Sequence, residues 1–198
     1  MRKLLDAGMQ VFARRGYHAT RVDDIVKLAR TSHGTFYLYF SNKEDLLRAL
    51  ILDCSEEMST LIRSLGPIGP GVEGYDELRA WLARFVELYV HYGPVVRAWT
   101  EAAETVSPEF AQLGGEMLGG FAGTLSERIA EADPQGAIRA DLAAIAFVAM
   151  IERVHYFVVT GQVDVDEDEL LDTLATITHL GVFGSTRRRT GGLALRRQ

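Results

Sequence analysis

The sequence predicts an all-α protein of about nine helices, three short ones at the N-terminus and a larger helical body after them. Apolar residues recur at three- and four-residue spacing through most of the 198 residues, and no segment alternates as a strand does. The periodic segments are separated by cap residues, glycines and prolines. Hydrophobic residues make up 47% of the chain, enough to fill a core.

Leu4, Leu5, Met9, Phe12 and Ala13 form one face of a first helix that ends at Gly16. Thr20 with Asp23 predicts a capped start for a second helix, which buries Ile25, Leu28 and Ala29. Thr31 and Ser32 interrupt it; Ser32 caps a third, short helix through Phe40. Ser41 with Glu44 is a capping box that opens a fourth helix to about Leu65. The run from Gly66 to Gly71, with Pro67 and Pro70, is a loop by composition. A fifth helix covers roughly Tyr75–Tyr92, and Gly93-Pro94 restarts the chain into a short one around Trp99. Ser107 and Pro108 open a helix toward Ala132, and Asp133 to Gly136 is a turn. Leu142–Val159 is a strongly apolar helix, and Asp166 with Glu169 opens the last, Leu170–Val182. The expected domains are 1–47, 48–184 and a basic flexible tail, 185–198.

The net charge of −6 is unevenly spread. Residues 1–50 carry nine Lys/Arg against five Asp/Glu, whereas residues 51–186 carry seven against twenty-two. A basic head on an acidic body suits a polyanion-binding module, and equally a soluble protein with chance asymmetry. A single cysteine, Cys54, excludes a disulfide framework and a cysteine-based zinc site. Near Glu56 and Glu57 it is expected to be a buried structural thiol. His91, His155 and His179 lack metal-ligand spacing, so neither metal nor cofactor is expected. No apolar run reaches the roughly 18 residues of a membrane span, and Asp6 interrupts any leader-like start, so the expected location is cytoplasmic.

The stretch Thr20–Leu47 carries the most information. Two short helices joined by a tight turn, with a first helix packed behind them, form a helix-turn-helix, whose second helix enters the DNA major groove. On a helical wheel Phe36, Tyr39 and Phe40 cluster toward the protein, and Gly34 and Leu38 point away, flanked by Thr35 and Tyr37. Gly34 lets the helix sit deep, and Thr35 meets base edges or phosphates. Tyr37 offers a hydroxyl to phosphate and an apolar edge to a thymine methyl, and His33 reaches a guanine or a phosphate.

The residues Phe12-Ala13-Arg14-Arg15-Gly16-Tyr17, then Ala19-Thr20, Ile25 and Ala29, then Ser32 to Leu47 with its Gly-Thr-Phe-Tyr-x-Tyr-Phe-x-x-Lys-Glu core, resemble the TetR family of regulators over roughly residues 4–50. The resemblance implies a DNA-binding surface of Thr20, Arg21, Thr31, Ser32, His33, Gly34, Thr35, Tyr37, Leu38 and Lys43. Within it Thr20, Tyr37 and Lys43 would touch phosphates and His33, Gly34 and Thr35 would read bases. It also implies a helical ligand-binding and dimerisation domain. Three residues depart from the pattern. Arg30 stands where the family has a turn glycine. Asp23 holds a position that is often basic, with Arg21 as a substitute. Leu38 replaces a residue that is commonly polar or aromatic.

In the body, Trp81, Phe85, Tyr89, Trp99, Met117, Phe121, Met150, Glu152 and Tyr156 are candidates for an apolar pocket, and core packing is the alternative for each. Five glycines between Gly114 and Gly123 weaken their helix, for close packing, a kink or a pocket wall. Glu152 with Arg153 reads as a pocket pair or as a solvated edge. The segment from Met150 to Phe157, with Trp99-Thr100-Glu101-Ala102 upstream, has a fainter resemblance to the subgroup that represses the ethionamide-activating enzyme and binds long lipophilic ligands. Val148 and Ile151 replace its asparagines, implying a more apolar pocket. Phe147, Val154, Leu170, Leu171, Leu174, Ile177 and Leu180 are the expected dimer seam. The expected function is a repressor that binds a palindromic double-stranded DNA operator as a homodimer and is released by a small hydrophobic effector. Its alternative is a DNA-binding regulator without an effector, controlled by a protein partner or by abundance. No nucleophile–base pair, metal cluster or phosphate loop supports an enzyme, and no membrane partner is expected.

Overall fold

The first helix, α1 (Arg2–Ala19), buries Leu4, Leu5, Ala7, Val11 and Phe12 at the spacing the sequence displays, whereas Ala13 is exposed. The computed structural model describes residues 1–105, 108–133, 136, 138–159 and 162–183. Ser107, Pro134, Gln135 and the basic tail lie outside these residues. Among the described residues eight α-helices follow one another and there is no strand. After α1 come α2 (Val22–Leu28), α3 (His33–Tyr37), α4 (Lys43–Arg63) and α5 (Val72–Thr105). Then come α6 (Pro108–Ala132), α7 (Ala140–Val159) and α8 (Glu167–Thr178), with a π turn over His179–Phe183.

Three local expectations change. Thr20 does not cap α2; Arg21 stands at that position without a side-chain bond. The box that opens α4 is shifted one residue: the Asp45 amide donates to Asn42 Oδ1 at 2.8 Å, and the Ser41 amide to Asp45 Oδ2 at 3.1 Å. Helix α5 runs through Gly93-Pro94 unbroken, so two expected helices are one. Proline removes a single bond to the carbonyl four residues back. The buried residues Tyr89, Tyr92, Val95 and Trp99 continue one face across it, and their burial outweighs that loss. The expected caps at Ser32 and Asp166 hold. Ser32 Oγ accepts the Thr35 amide at α3, and Asp166 Oδ1 accepts the amides of Asp168 and Glu169 at α8.

The chain packs as two compact units. The first comprises Met1–Ile62 and Arg84–Phe121, the second Arg63–Ala83 and the described residues of Ala122–Gln198. The core of the first holds Phe12, Ile25, Phe36, Leu46, Leu47, Leu50 and Cys54 together with Val95, Ala102 and Phe110. Burial, with Glu57 and Asp53 nearby, pushes the Cys54 thiol up to about 12, which leaves it an inert core residue. Trp99 donates its indole N–H to the Phe110 carbonyl. A Cβ on Gly114 would stand 2.7 Å from the Trp99 ring, so only glycine lets α6 approach it. At Gly115, Gly119, Gly120 and Gly123 a Cβ would meet nothing within 4 Å, so close packing explains one of the five glycines. The core of the second unit holds Leu78, Trp81, Leu82, Leu125, Ile129, Phe147, Ile151, Leu170, Leu171 and Leu174. Arg79 joins α5 to α8 through Asp168 and Asp172.

Candidate nucleic-acid interface

The N-terminal helices are joined through a turn that needs glycine. Gly16 has a φ of +71°, which lets the backbone leave the α1 helix and bring Tyr17 inside. The Tyr17 hydroxyl donates to Glu44 Oε1 at 2.9 Å, and its amide donates to Glu101 Oε2 at 2.9 Å. Burial, then the bond to Glu44, raises the Tyr17 pKa far above the ordinary phenol value. Lys43 Nζ donates to the carbonyls of Tyr17, His18 and Thr20 at 2.9, 3.2 and 3.3 Å, and stands 4.4 Å from the centroid of the Tyr17 ring. An ammonium has three N–H donors, and these carbonyls take all three. A cation at this place also answers the negative end of α1. Lys43 therefore clamps the α1 terminus in the free chain, a role beside the phosphate contact that the family resemblance implies for it. Thr20 is 2% exposed and its hydroxyl donates to the Gly16 carbonyl at 2.6 Å.

The short helix α3 is anchored on one side. Phe36 and Phe40 are buried with ring centroids 5.6 Å apart. Ser32 Oγ takes the Thr35 amide at 3.1 Å and lies 3.0 Å from the Thr35 hydroxyl, which orients that hydroxyl. The remaining side chains face outward. Leu38 is 81% and Tyr37 57% exposed; Ser32, His33 and Gly34 are exposed too, and Thr35 is half-buried. Tyr39, expected inside, is exposed because α3 ends at Tyr37 and the helical wheel does not extend to it. Arg21 is exposed and Thr31 half-buried. Arg30 adopts the left-handed conformation with φ +52°, as its place in the turn implies, at a cost of about 1 kcal/mol. Asp23 of α2 holds His33 of α3 through Oδ1 and Nε2. Glu101, Tyr17 and the Asp23–His33 pair were not singled out as partners by sequence reasoning. Glu101 lies 84 positions from Tyr17, and no local signal marks such a bond.

The nine candidate pocket residues divide between the two units. In the first, Phe85 and Tyr89 stack at 6.0 Å and Phe85 meets the Phe121 ring edge-on at 5.9 Å; Trp99 is buried and Met117 half-buried. In the second, Trp81 packs against Phe147 at 6.4 Å and Met150 is half-buried. Tyr156 is exposed, the Arg153 guanidinium lies 5.2 Å from its ring centroid, and Glu152 pairs with Arg153 at 3.7 Å on the same open side of α7. Glu152 and Tyr156 therefore belong to the solvated edge. The expected dimer seam also divides. Phe147, Leu170, Leu171 and Leu174 are buried in their own chain, which removes them from any seam between chains. Val154 is half-buried, and Ile177 and Leu180 are 53% and 65% exposed. Leu142 and Ile145 of α7 are exposed as well. Among the described residues no group of three His, Cys, Asp or Glu is placed to hold a metal ion, and no helix is long and apolar enough to cross a membrane.

Residues 4–50 match the family model described as bacterial regulatory proteins, tetR family. The fatty acid metabolism regulator protein of Bacillus subtilis is 41% identical over 63 residues, which span 32% of this chain and 31% of that protein. The chain thus spans about a third of the length of that relative. The HTH-type transcriptional regulator EthR of Mycobacterium tuberculosis is 30% identical over 171 residues, 84% of this chain and 79% of that protein. The crystal structure of the transcriptional regulator FadR from Bacillus subtilis in complex with stearoyl-CoA superposes with a TM-score of 0.66 at 23% identity, over 93% of this chain and 98% of that one. At that identity the likeness shows the fold alone. An anchored α3 with an outward face, an all-helical chain, and a relative matched over most of both lengths agree: this chain belongs to the TetR family of transcriptional regulators.

Proposed function

We propose that the chain is a repressor that binds a palindromic operator as a homodimer and is released by a small hydrophobic effector. The observation that carries DNA recognition is the outward face of α3: His33, Gly34, Thr35, Tyr37 and Leu38 are presented by a helix whose opposite side is fixed by Phe36. In this reading His33, Gly34 and Thr35 meet base edges, Tyr37 meets phosphate, and Leu38 meets an apolar base edge such as a thymine methyl. Arg21 and Thr31 flank them, and Ser32 serves as the cap. Residues 1–47 form the reading head and 48–184 the body that senses and dimerises. One such head buries too little DNA for tight specific binding, so two act on symmetric half-sites. The exposed apolar residues Leu142 and Ile145 of α7, with Ile177 at the end of α8 and Leu180 beyond it, supply the seam between copies in this reading.

In this reading the effector is hydrophobic. Support comes from the stearoyl-CoA in the FadR structure and from the aromatic surface of Phe85, Tyr89 and Phe121, with Met117 one turn before Phe121. Its route to DNA is the bond from Glu101 of α5 to the Tyr17 amide, continued from the Tyr17 hydroxyl to Glu44 at the start of α4. A shift of α5 pulls on the joint between α1 and α4, and so on the head. A second reading has an observation of its own. Phe85 packs on both Tyr89 and Phe121 and Trp99 seats on Gly114, which favours a filled core and control by a protein partner or by abundance.

The test is fluorescence anisotropy of the protein on the DNA upstream of its own gene, titrated with acyl-CoAs from short chains to stearoyl-CoA and with neutral lipophilic probes. We expect the DNA Kd to rise about 5- to 150-fold with one of them, the span of ordinary allosteric coupling. An unchanged Kd with every compound rejects the effector-released repressor and leaves the second reading.

A further inference from the structure

We infer that Asp23 is a specificity-determining positioning residue: it fixes which nitrogen of His33 meets the base edge, at a cost in general DNA affinity. The inference rests on the DNA-binding reading of α3. His33 is the first residue of α3, where a recognition helix meets base edges, and it is exposed. Its Nε2 lies at hydrogen-bond distance from Oδ1 of Asp23, a residue of the preceding helix. A carboxylate only accepts, so Nε2 carries the hydrogen and is spent on Asp23. Nδ1 is then the one ring nitrogen left for DNA, and in the neutral ring it is an acceptor.

That lock has a readable consequence. In the major groove adenine and cytosine present an exocyclic amine, and thymine and guanine present a carbonyl at the corresponding edge. An acceptor fixed on the protein therefore distinguishes the orientation of a base pair, amine toward the helix against carbonyl toward the helix. An unlocked imidazole offers donor or acceptor by exchanging tautomers and loses that distinction. The pair has little structural purpose. Both side chains are more than half exposed, at 55% and 76%, and exposed pairs of this kind contribute little to stability. An acid on a surface that meets phosphates also opposes binding to every sequence. A group that stabilises little and repels the ligand is accounted for if it orders the residue that reads.

The experiment is selection from a randomised double-stranded DNA library with the full chain, the Asp23→Ala, Asp23→Asn and His33→Ala variants, and the double variant Asp23→Ala with His33→Ala. The wild type should discriminate amine from carbonyl at one position of each half-site by about 10-fold, the scale of one good base contact. Asp23→Ala should bring that ratio near 2-fold or below, with the other positions of the motif kept and the melting temperature unchanged. Its affinity for non-specific DNA should rise severalfold. Asp23→Asn, whose amide can turn to donate or accept, should lose most of the discrimination while keeping the shape. His33→Ala should lose the same position, and adding Asp23→Ala to it should change the motif no further. A motif identical in wild type and Asp23→Ala, or a position lost in Asp23→Ala but kept in His33→Ala, overturns the inference. A wild type that enriches no motif instead defeats the DNA-binding reading beneath it.

Discussion

Replacing Ile177 and Leu180 together by glutamate is expected to yield a monomer at micromolar concentration and to weaken operator binding by at least about 100-fold. These two side chains are more than half exposed at the end of α8 and just after it, and they have no large share in their own core. Glutamate there leaves the single chain intact and places charge inside the proposed seam. The loss on DNA follows from linkage of two heads: once one half-site is bound, the second engagement is intramolecular, and that gain of about 100- to 10,000-fold disappears in a monomer. Sedimentation velocity and anisotropy on the same samples measure both effects. Leu174→Glu is the contrast. Leu174 is 2% exposed in its own chain, so an unpaired charge there unfolds the second unit instead of separating dimers. A double variant that stays dimeric removes the end of α8 from the interface.

Lys43→Ala is expected to lower stability by about 2 kcal/mol, since three carbonyls lose a charged donor. For a chain of this size that is a fall of about 5 °C in melting temperature. The slope of log affinity against log salt should stay at the wild-type value, because the ammonium is spent on the α1 terminus and releases no counterion from DNA. A phosphate-contacting lysine gives the opposite pattern: unchanged melting and a slope reduced by about one unit. Calorimetry with a salt titration separates the two. An unshifted melting point with a flattened slope contradicts the clamp.

What the sequence made legible was whatever short-range chemistry decides. The spacing of Phe36 and Phe40, the Ser32 cap and the Asp166 cap are local, and they fall where the pattern places them. The turn at Arg30 was legible only through the family resemblance, which sets a turn glycine where this chain has an arginine at positive φ. Gly93-Pro94 misled because a proline's local penalty is visible in a sequence and the burial that offsets it is not. The carbonyl partners of Lys43 were hidden in another way. Its place in the first turn of α4 suits a phosphate, but the acceptors that claim it lie 23 to 26 positions earlier. Leu170, Leu171 and Leu174 read as a seam because an apolar helix face looks the same whether it meets its own chain or another. Only the fold separates them from Ile177 and Leu180. The Glu101–Tyr17 bond, which ties the body to the head, joins two ordinary residues across 84 positions and carries no mark in the sequence.

The central claim is that the outward face of α3 reads DNA. A DNase I footprint over the region upstream of the gene, with wild type and Tyr37→Ala side by side, tests it most directly. Tyr37 is 57% exposed and meets the Phe36 ring at right angles, with centroids 5.5 Å apart, so its removal is expected to leave the fold in place. The account predicts two protected patches related by a dyad, centred one helical turn of DNA apart, about 34 Å, or a multiple of it. It also predicts that Tyr37→Ala needs about 10-fold more protein for the same protection. Equal protection by the two proteins, or none by the wild type, contradicts it.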